Sequence, residues 1–179
     1  MDTDAGSDSD VCARCGEQNG SCCTLVPGQE EYCFPLSADE RAVMEKAGAK
    51  PEHFFRQHNT QPFLDNLNRL FPNEADCINS LFPPDGSHDR LAITPQGSCE
   101  LLGSAGCGLP RQSRPYYCLL YPFWLRHGRE LYFESSNCQA QREAGGGGAG
   151  LMRRLNMTSA DIRRTYRELR RAWGLPEQR

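Results

Sequence analysis

Four cysteines stand within twelve residues near the start of the chain, as two close pairs. Cys12 and Cys15 are separated by two residues, whereas Cys22 and Cys23 are adjacent. Two cysteines separated by two residues can direct both sulfurs at one centre, as structural zinc sites and iron–sulfur clusters require. The residues between the pairs, 16–21, are rich in turn-forming types that can wrap backbone around a small object. The spacing therefore predicts a thiolate-bound metal centre.

The adjacent pair restricts the geometry of that centre. Neighbouring side chains point to opposite faces of a strand and about 100° apart on a helix. Both sulfurs can therefore hardly bind one tetrahedral metal ion without straining the backbone. We expect Cys22 and Cys23 to contact two nearby centres, or one polynuclear cluster from two sides. The alternative is that one of the two is a ligand and the other a buried thiol.

The other six of the ten cysteines are spread over the rest of the chain. Four of them lie near predicted strand ends, glycines or turns, where the fold must deliver each thiol to the centre. These distant candidate ligands are Cys99, Cys107, Cys118 and Cys138. Cys33 and Cys77 lie outside the dense clusters, and we interpret both as packing residues, with ligation as the alternative for Cys33.

The type of ligand narrows the choice of metal. The chain has four His, none of them spaced near a cysteine pair, so a Cys₂His₂ site is not indicated. All-sulfur ligation leaves zinc and an iron–sulfur cluster as the main candidates. The sequence contains neither the C-x₂-C-x₂-C spacing of ferredoxins nor two C-x₂-C pairs, so the choice between zinc and iron stays open.

The composition fits one domain with a modest core. The chain has 179 residues, of which 38% are hydrophobic, and it contains 17 Gly and 12 Pro. This predicts much irregular backbone, with metal binding supplying part of the stability. Residues 1–10 are acidic and lack the apolar segment of a signal peptide, so we expect a disordered N-terminus and a cytoplasmic location. Thiols stay reduced in that compartment, which favours metal ligands over disulfides.

Local signals predict short helices in the first half of the chain. Ser37 and Glu40 have the spacing of a capping box that opens a helix. A second short helix is expected over 51–55, and a third begins near Pro62 with an apolar stripe at helical spacing.

Hairpins and a glycine-rich segment are expected in the second half. Residues 91–93 should pair with 99–102, and residues 123–125 with 131–133. Residues 144–150 contain five glycines and predict a flexible linker.

The last predicted element is an amphipathic helix that begins at Thr158 or Ser159. Its narrow apolar seam consists of Ile162, Tyr166, Leu169 and Trp173. Its flanks carry Arg163, Arg164, Arg167, Arg170 and Arg171.

Together these elements predict an α+β fold: a small, irregular, loop-rich, metal-nucleated domain with several short helices, one or two β-hairpins and a C-terminal amphipathic helix. The expected organisation has four parts. They are a disordered acidic N-terminus (1–10), a cysteine-cluster metal-binding domain (11–143), a glycine-rich linker (144–150) and a basic C-terminal helix (151–179).

The net charge of −3 hides an asymmetry between two parts of the chain. Residues 151–179 carry eight Arg and three acidic residues, whereas residues 1–150 carry twelve basic and twenty acidic ones. The two parts should attract each other, so we expect the C-terminal helix to dock its apolar seam onto the domain. The alternative is that its arginines bind nucleic acid or an acidic protein partner. No apolar run approaches the length of a membrane span, and no membrane partner is expected.

The order of the cysteine motifs resembles that of the YkgJ-like cysteine-cluster family, which is described as zinc- or iron-chelating. The motifs that carry the resemblance are Cys12-x₂-Cys15, Cys22-Cys23, Cys99-Glu-Leu-Leu, Gly106-Cys107, Arg114-Pro115-x₂-Cys118, Tyr121-Pro122-Phe123 and the late Cys138. The chain departs from the family pattern in its longer gap before the double cysteine and in Leu119 and Tyr121, which stand where Arg and Phe are common.

The resemblance implies a set of eight metal ligands. They are Cys12, Cys15, Cys22, Cys23, Cys99, Cys107, Cys118 and Cys138. Cys33 and Cys77 fall outside the family pattern. A similar cysteine module occurs within flagellin lysine methylases, which hints at modification or redox chemistry.

Three functions are consistent with these residues. The first, which we favour, is a metal- or cluster-binding protein with a structural, redox or metal-handling role. The second is an enzyme that uses the centre, for which Arg114, Tyr116, Tyr117 and Glu100 are the only polar residues interleaved with the ligands. The third is a nucleic-acid or partner binder that uses the C-terminal helix. Sequence alone assigns no catalytic residue.

Overall fold

The computed structural model describes residues 10–17 and 21–176. Helices and small antiparallel sheets form an α+β domain, as the sequence predicts. The helices are α1 (Asp10–Glu17), α2 (Ala38–Lys46), α3 (Gln61–Leu70), α4 (Ala75–Leu81), α5 (Tyr116–Leu120), α6 (Gln139–Ala144), α7 (Gly148–Arg154) and α8 (Ser159–Ala172). The strands are β1 (Phe54–His58), β2 (Ser87–Leu91), β3 (Leu102–Gly103), β4 (Gly106–Cys107), β5 (Phe123–Arg126) and β6 (Arg129–Tyr132).

The strands form three two-stranded antiparallel sheets, which pair β1 with β2, β3 with β4 and β5 with β6. In the first sheet Phe54 lies opposite Leu91, and His58 lies opposite Ser87. In the third sheet Phe123 lies opposite Tyr132 and Arg126 opposite Arg129, which confirms the second predicted hairpin. The first predicted hairpin is reduced to an isolated bridge between Ile93 and Cys99.

Helix boundaries follow the local capping signals. The Ser37 hydroxyl accepts a hydrogen bond from the Glu40 amide, and the Glu40 carboxylate accepts one from the Ser37 amide at 2.9 Å, which confirms the predicted capping box of α2. Thr158 and Asp161 form a second capping box at the start of α8. The helix predicted over 51–55 is wrong, because a single 3-10 turn ends at His53 and β1 follows it.

Two apolar cores hold the domain together. The larger core is built from α3, β5 and α8, and its largest fully buried side chains include Phe63, Leu67, Trp124 and Leu169. The smaller core consists of Leu36, Met44, Ala49, Phe54, Leu101 and Leu109. Burial in these cores provides roughly 2 kcal/mol of stability for each large side chain.

The C-terminal helix belongs to the larger core. Ile162, Tyr166 and Leu169 are buried, and the Tyr166 ring packs edge-on against Trp124 with ring centroids 5.0 Å apart. Arg170, on a flank where we expect solvent or acidic neighbours, is 4% exposed. It forms a bidentate ion pair with Glu74 at 2.9 and 2.6 Å.

The glycine-rich segment 144–150 contains a turn, residues 145–147, between the end of one helix and the start of the next. Ala144 is the last residue of α6, and Gly148 is the first residue of α7. The three glycines between them have positive φ angles of 68°, 94° and 80°, which other residues rarely adopt. The division into domains stays a prediction, and of its N-terminal segment only Asp10 lies within the described residues. None of the described helices is long and apolar enough to span a membrane.

Candidate metal centre

All eight cysteines of the predicted ligand set line one cavity, whose volume is about 140 Å³. They come from six separate segments of the chain. Cys12 and Cys15 lie in α1, Cys22 and Cys23 in a 3-10 turn (Ser21–Cys23), Cys99 in the isolated bridge with Ile93, Cys107 in β4, Cys118 in α5 and Cys138 at the N-cap of α6.

The first cysteine pair is positioned by a close approach of α1 to β4. A Cβ atom on Gly16 would lie 2.7 Å from both the Cα and the amide nitrogen of Gly106. Only glycine fits at position 16, since real Cβ contacts essentially never fall below 3.0 Å. The approach sets Cys12 and Cys15 beside Cys107, which is the last residue of β4.

The second cysteine pair is positioned by backbone hydrogen bonds to the segment that carries Cys99. The Cys99 amide donates to the Cys23 carbonyl at 2.7 Å, and the Leu25 amide donates to the Gly97 carbonyl at 2.8 Å. A Cβ on Gly97 would lie 2.1 Å from the Leu25 carbonyl oxygen, so this contact also requires glycine. Two segments more than seventy residues apart in sequence thus form one wall of the cavity.

The two sulfurs of the adjacent pair lie on the same side of the backbone. Cys22 Sγ and Cys23 Sγ are 3.8 Å apart, because the pair sits in the 3-10 turn rather than in a strand. Sulfurs at about 2.3 Å from a tetrahedral metal ion are about 3.8 Å from one another. The expectation that both could not occupy two corners of one tetrahedron without strain is therefore wrong.

Cys118 is positioned by the start of α5. Pro115 is the N-cap residue of this helix, and the Tyr116 amide in its first turn donates to the Glu40 carboxylate at 2.9 Å. The same carboxylate accepts from the Ser37 hydroxyl at 2.6 Å, so one buried side chain joins the N-termini of α2 and α5. Sequence reasoning identified Glu40 only as a capping residue, since its second partner is 76 residues away.

Cys138 is the buried member of the set. Its amide donates to the Ser135 carbonyl at 3.1 Å in the turn that leads into α6. That helix packs against α1, and Arg14 joins the two through hydrogen bonds of 2.8 Å to both carboxylate oxygens of Glu143. This contact fixes α6, which begins after Cys138, against the helix that carries Cys12 and Cys15.

The surroundings of the thiols favour their neutral form. Burial is the main cause that raises the pKa of Cys99 to about 11, with Cys107 adding to it. Desolvation likewise raises the pKa of the Cys118 thiol well above its ordinary value, although the residue itself is exposed, and negative charge on Cys99 and Cys22 adds to the effect. The pKa of Cys23 is raised first by its hydrogen bond with Cys22 and then by burial. A metal cation would reverse these shifts, because it stabilises the thiolates, and its binding would release protons.

The cavity contains positive but no acidic side chains. Arg111 and Arg114 are among its lining residues, and Arg114 Nε donates to the Leu109 carbonyl at 3.0 Å. Among the described residues that line it, none is Asp, Glu, Lys or His. Of the polar residues interleaved with the ligands, Arg114 and Tyr117 line the cavity, whereas Glu100 and Tyr116 do not.

The two remaining cysteines have different environments. Cys77 is exposed on α4, so the interpretation of this residue as packing is wrong. Cys33 is half-buried and lines a second cavity, which has a volume of about 250 Å³ and shares Cys22, Cys23, Cys99 and Cys118 with the first. Burial raises the pKa of the Cys33 thiol to about 11.

The cysteines surround the cavity without meeting at one point. Within 10–17 and 21–176, no three His, Cys, Asp or Glu residues form a group that could hold a metal ion as placed. The cysteines nevertheless fit a thiophilic metal, because eight of them line one cavity. The described lining residues include no Asp, Glu or His that would offer a carboxylate or an imidazole as a ligand.

Comparisons of the chain with protein-family models, with curated proteins and with solved structures found no match. The resemblance to the YkgJ-like family therefore rests on the cysteine motifs alone.

Proposed function

We propose that this chain is a metal-binding cysteine-cluster protein that holds zinc or an iron–sulfur centre. The ligands would be Cys12, Cys15, Cys22, Cys23, Cys99, Cys107, Cys118 and Cys138. The observation that carries the proposal is that these eight residues, chosen from sequence motifs, line a single cavity.

The resemblance to the YkgJ-like family supports the same proposal. The motifs that define it are distributed from Cys12 to Cys138, and the fold brings together the thiols of each motif. Cys77, which the pattern leaves out, lies on the surface.

The role that fits this site best is structural, redox or metal-handling. A bound zinc ion would supply cross-links between segments, and an iron–sulfur cluster would supply one-electron transfer. Catalysis by a metal centre usually needs an acid or base beside an open coordination position. The described lining residues offer only Arg111, Arg114 and tyrosines for that purpose, so the enzyme remains the alternative.

Binding of nucleic acid through α8 is disfavoured by the ion pairs of its arginines. Arg163 lies 2.9 Å from Glu130, and Arg171 lies 3.0 Å from Glu168. Arg170 is committed to Glu74 inside the fold. Acidic side chains so close to the guanidinium groups reduce the positive potential that phosphates would meet.

The test is anaerobic purification followed by a visible absorption spectrum and elemental analysis for iron, zinc and acid-labile sulfide. We expect either a brown protein with iron and sulfide or a colourless protein with about two zinc ions per chain, as eight thiolates would support. A protein with none of these elements, even after reconstitution under reducing conditions, would contradict the proposal.

Variants test the ligand assignment. Cys15→Ser and Cys118→Ser should lower the metal content and yield insoluble protein, because each removes a donor and leaves the others incomplete. Cys77→Ser is the matched control, since its exposed thiol lies outside the cavity, and its metal content should be unchanged. Equal metal loss in all three variants would refute the assignment.

A further inference from the structure

The two cavities divide the nine thiols that face them into three groups. Four cysteines line both cavities and form a wall between them: Cys22, Cys23, Cys99 and Cys118. Four line only the first cavity: Cys12, Cys15, Cys107 and Cys138. Cys33 lines only the second, which we call the outer cavity. The first cavity therefore has a complete set of four thiols of its own, the number that one tetrahedral ion requires.

We propose that the outer cavity is a second metal site in which Cys33 is a ligand together with thiols of the shared wall. This inference rests on the proposed function and extends it, because Cys33 belongs to none of the motifs that predicted the first eight ligands.

Aromatic packing brings Cys33 to the wall. Phe34 follows Cys33 in the chain, and Tyr117 precedes Cys118. The rings of Phe34 and Tyr117 are stacked with centroids 4.5 Å apart and planes inclined by 3°. Since each ring is adjacent in sequence to a cysteine, the stack links the two segments that carry Cys33 and Cys118, and both cysteines line the outer cavity.

The spacing of one pair of wall thiols, Cys22 and Cys23, fits a single ion. The 3.8 Å between Cys22 Sγ and Cys23 Sγ equals the distance between two sulfurs of a tetrahedral site. Cys99 is held next to Cys23 by the 2.7 Å backbone hydrogen bond between them. Three thiols of the wall together with Cys33 would supply the four donors that one tetrahedral ion requires.

The charge of the outer cavity also points to a cation. Its described lining residues include five cysteines and no Arg, Lys, His, Asp or Glu. The remainder of its wall is apolar or aromatic, with Tyr32, Leu36 and Ile93 among its members. A cation bound there would stabilise the thiolate forms of these cysteines, and none of the described lining residues is an acidic side chain that would offer it a competing ligand.

Cadmium substitution tests the proposal directly. The intact, reduced protein is loaded with an NMR-active cadmium isotope, and correlations are recorded between cadmium and the β protons of each cysteine. We expect the Cys33 β protons to correlate with a cadmium signal that also correlates with Cys22, Cys23 or Cys99. A second signal should correlate with Cys12 and Cys15.

The outcomes separate this inference from the proposed function. Cadmium signals that correlate with the other cysteines but not with Cys33 would overturn the second site and leave the proposed function intact. Failure of cadmium to correlate with any cysteine would overturn both.

A titration with Co²⁺ gives an independent readout. Cys33→Ser should weaken the binding of one equivalent of Co²⁺ roughly tenfold or more, seen in the thiolate charge-transfer absorbance, and leave the other equivalent unchanged. Cys77→Ser is the control and should titrate like the parent protein, because its thiol lies outside both cavities. Identical titrations of Cys33→Ser and Cys77→Ser would overturn the proposal.

Discussion

The contact between Gly16 and Gly106 gives the sharpest test of how the first cysteine pair is placed. In Gly16→Ala the new Cβ would lie 2.7 Å from two backbone atoms of Gly106, whereas ordinary contacts begin at 3.4 Å. Neither contact atom belongs to a flexible side chain, so α1 and β4 must separate by about 0.7 Å, the difference between those two distances. Metal–ligand bonds tolerate changes of only about 0.2 Å.

The expected result is a loss of metal affinity without loss of the fold. Cys12 and Cys15 move with α1, so the affinity for zinc should fall roughly tenfold or more, equivalent to about 1.4 kcal/mol. Most of the larger core is built from other elements, including α3, β5 and α8, so the far-UV circular dichroism should be unchanged. Without the contact, replacing a helical Gly by Ala would instead stabilise the helix by about 1 kcal/mol.

The assay is competition for Zn²⁺ between the reduced protein and a chromophoric chelator under anaerobic conditions. Gly103→Ala is the matched control, because its Cβ would lie 3.7 Å from the Gly106 carbonyl oxygen, an ordinary contact in the same small sheet. It should bind zinc like the parent protein. If Gly16→Ala also binds zinc with unchanged affinity, α1 does not position the first cysteine pair through this contact, and the reasoning fails.

Two further predictions concern the larger core. Leu169→Ala removes a fully buried side chain of α8 and should lower the free energy of unfolding by about 3 kcal/mol in urea titrations. Leu81→Ala, at an exposed position, is the control and should change it by less than about 1 kcal/mol. Equally small effects of the two substitutions would show that α8 is not part of the core. His88 is 3% exposed, and burial, followed by the charges of Arg90 and Arg56, lowers its pKa from 6.5 to about 4. On acidification the unfolded chain therefore takes up a proton at His88 before the folded chain does, and the folded state loses stability. Between pH 6.5 and 4 the free energy of unfolding of the parent protein should fall by about 3 kcal/mol relative to that of His88→Gln. A difference between the two proteins that does not change with pH would contradict this.

Local signals predicted where α2 and α8 begin, and distant pairing explains why β1 was missed. Ser37 with Glu40 and Thr158 with Asp161 act within one helical turn, so their patterns are visible in the sequence. β1 was missed because Phe54 and Phe55 follow a proline and resemble a short helix. The strand forms only because Phe54 meets Leu91, far along the chain, and a single sequence carries no record of that pairing.

The candidate site was predictable in its members but not in its geometry. Spacing and motif order selected eight cysteines that line one cavity. The arrangement of Cys22 and Cys23 was mispredicted, because a strand or helix was assumed where the chain forms a 3-10 turn. Cys33 has no spacing signal, since its approach to the other thiols depends on the stacking of Phe34 on Tyr117.

The cavity lies at the boundary between the two apolar cores, and this position links metal binding to cooperativity. Val11 and Leu155 of the larger core line it on one side, and Leu101 and Leu109 of the smaller core line it on the other. An ion held there has ligands in both halves, so its binding free energy is lost whichever half opens first. The loaded protein should therefore unfold as one cooperative unit, whereas in the metal-free protein each core can open at its own free energy.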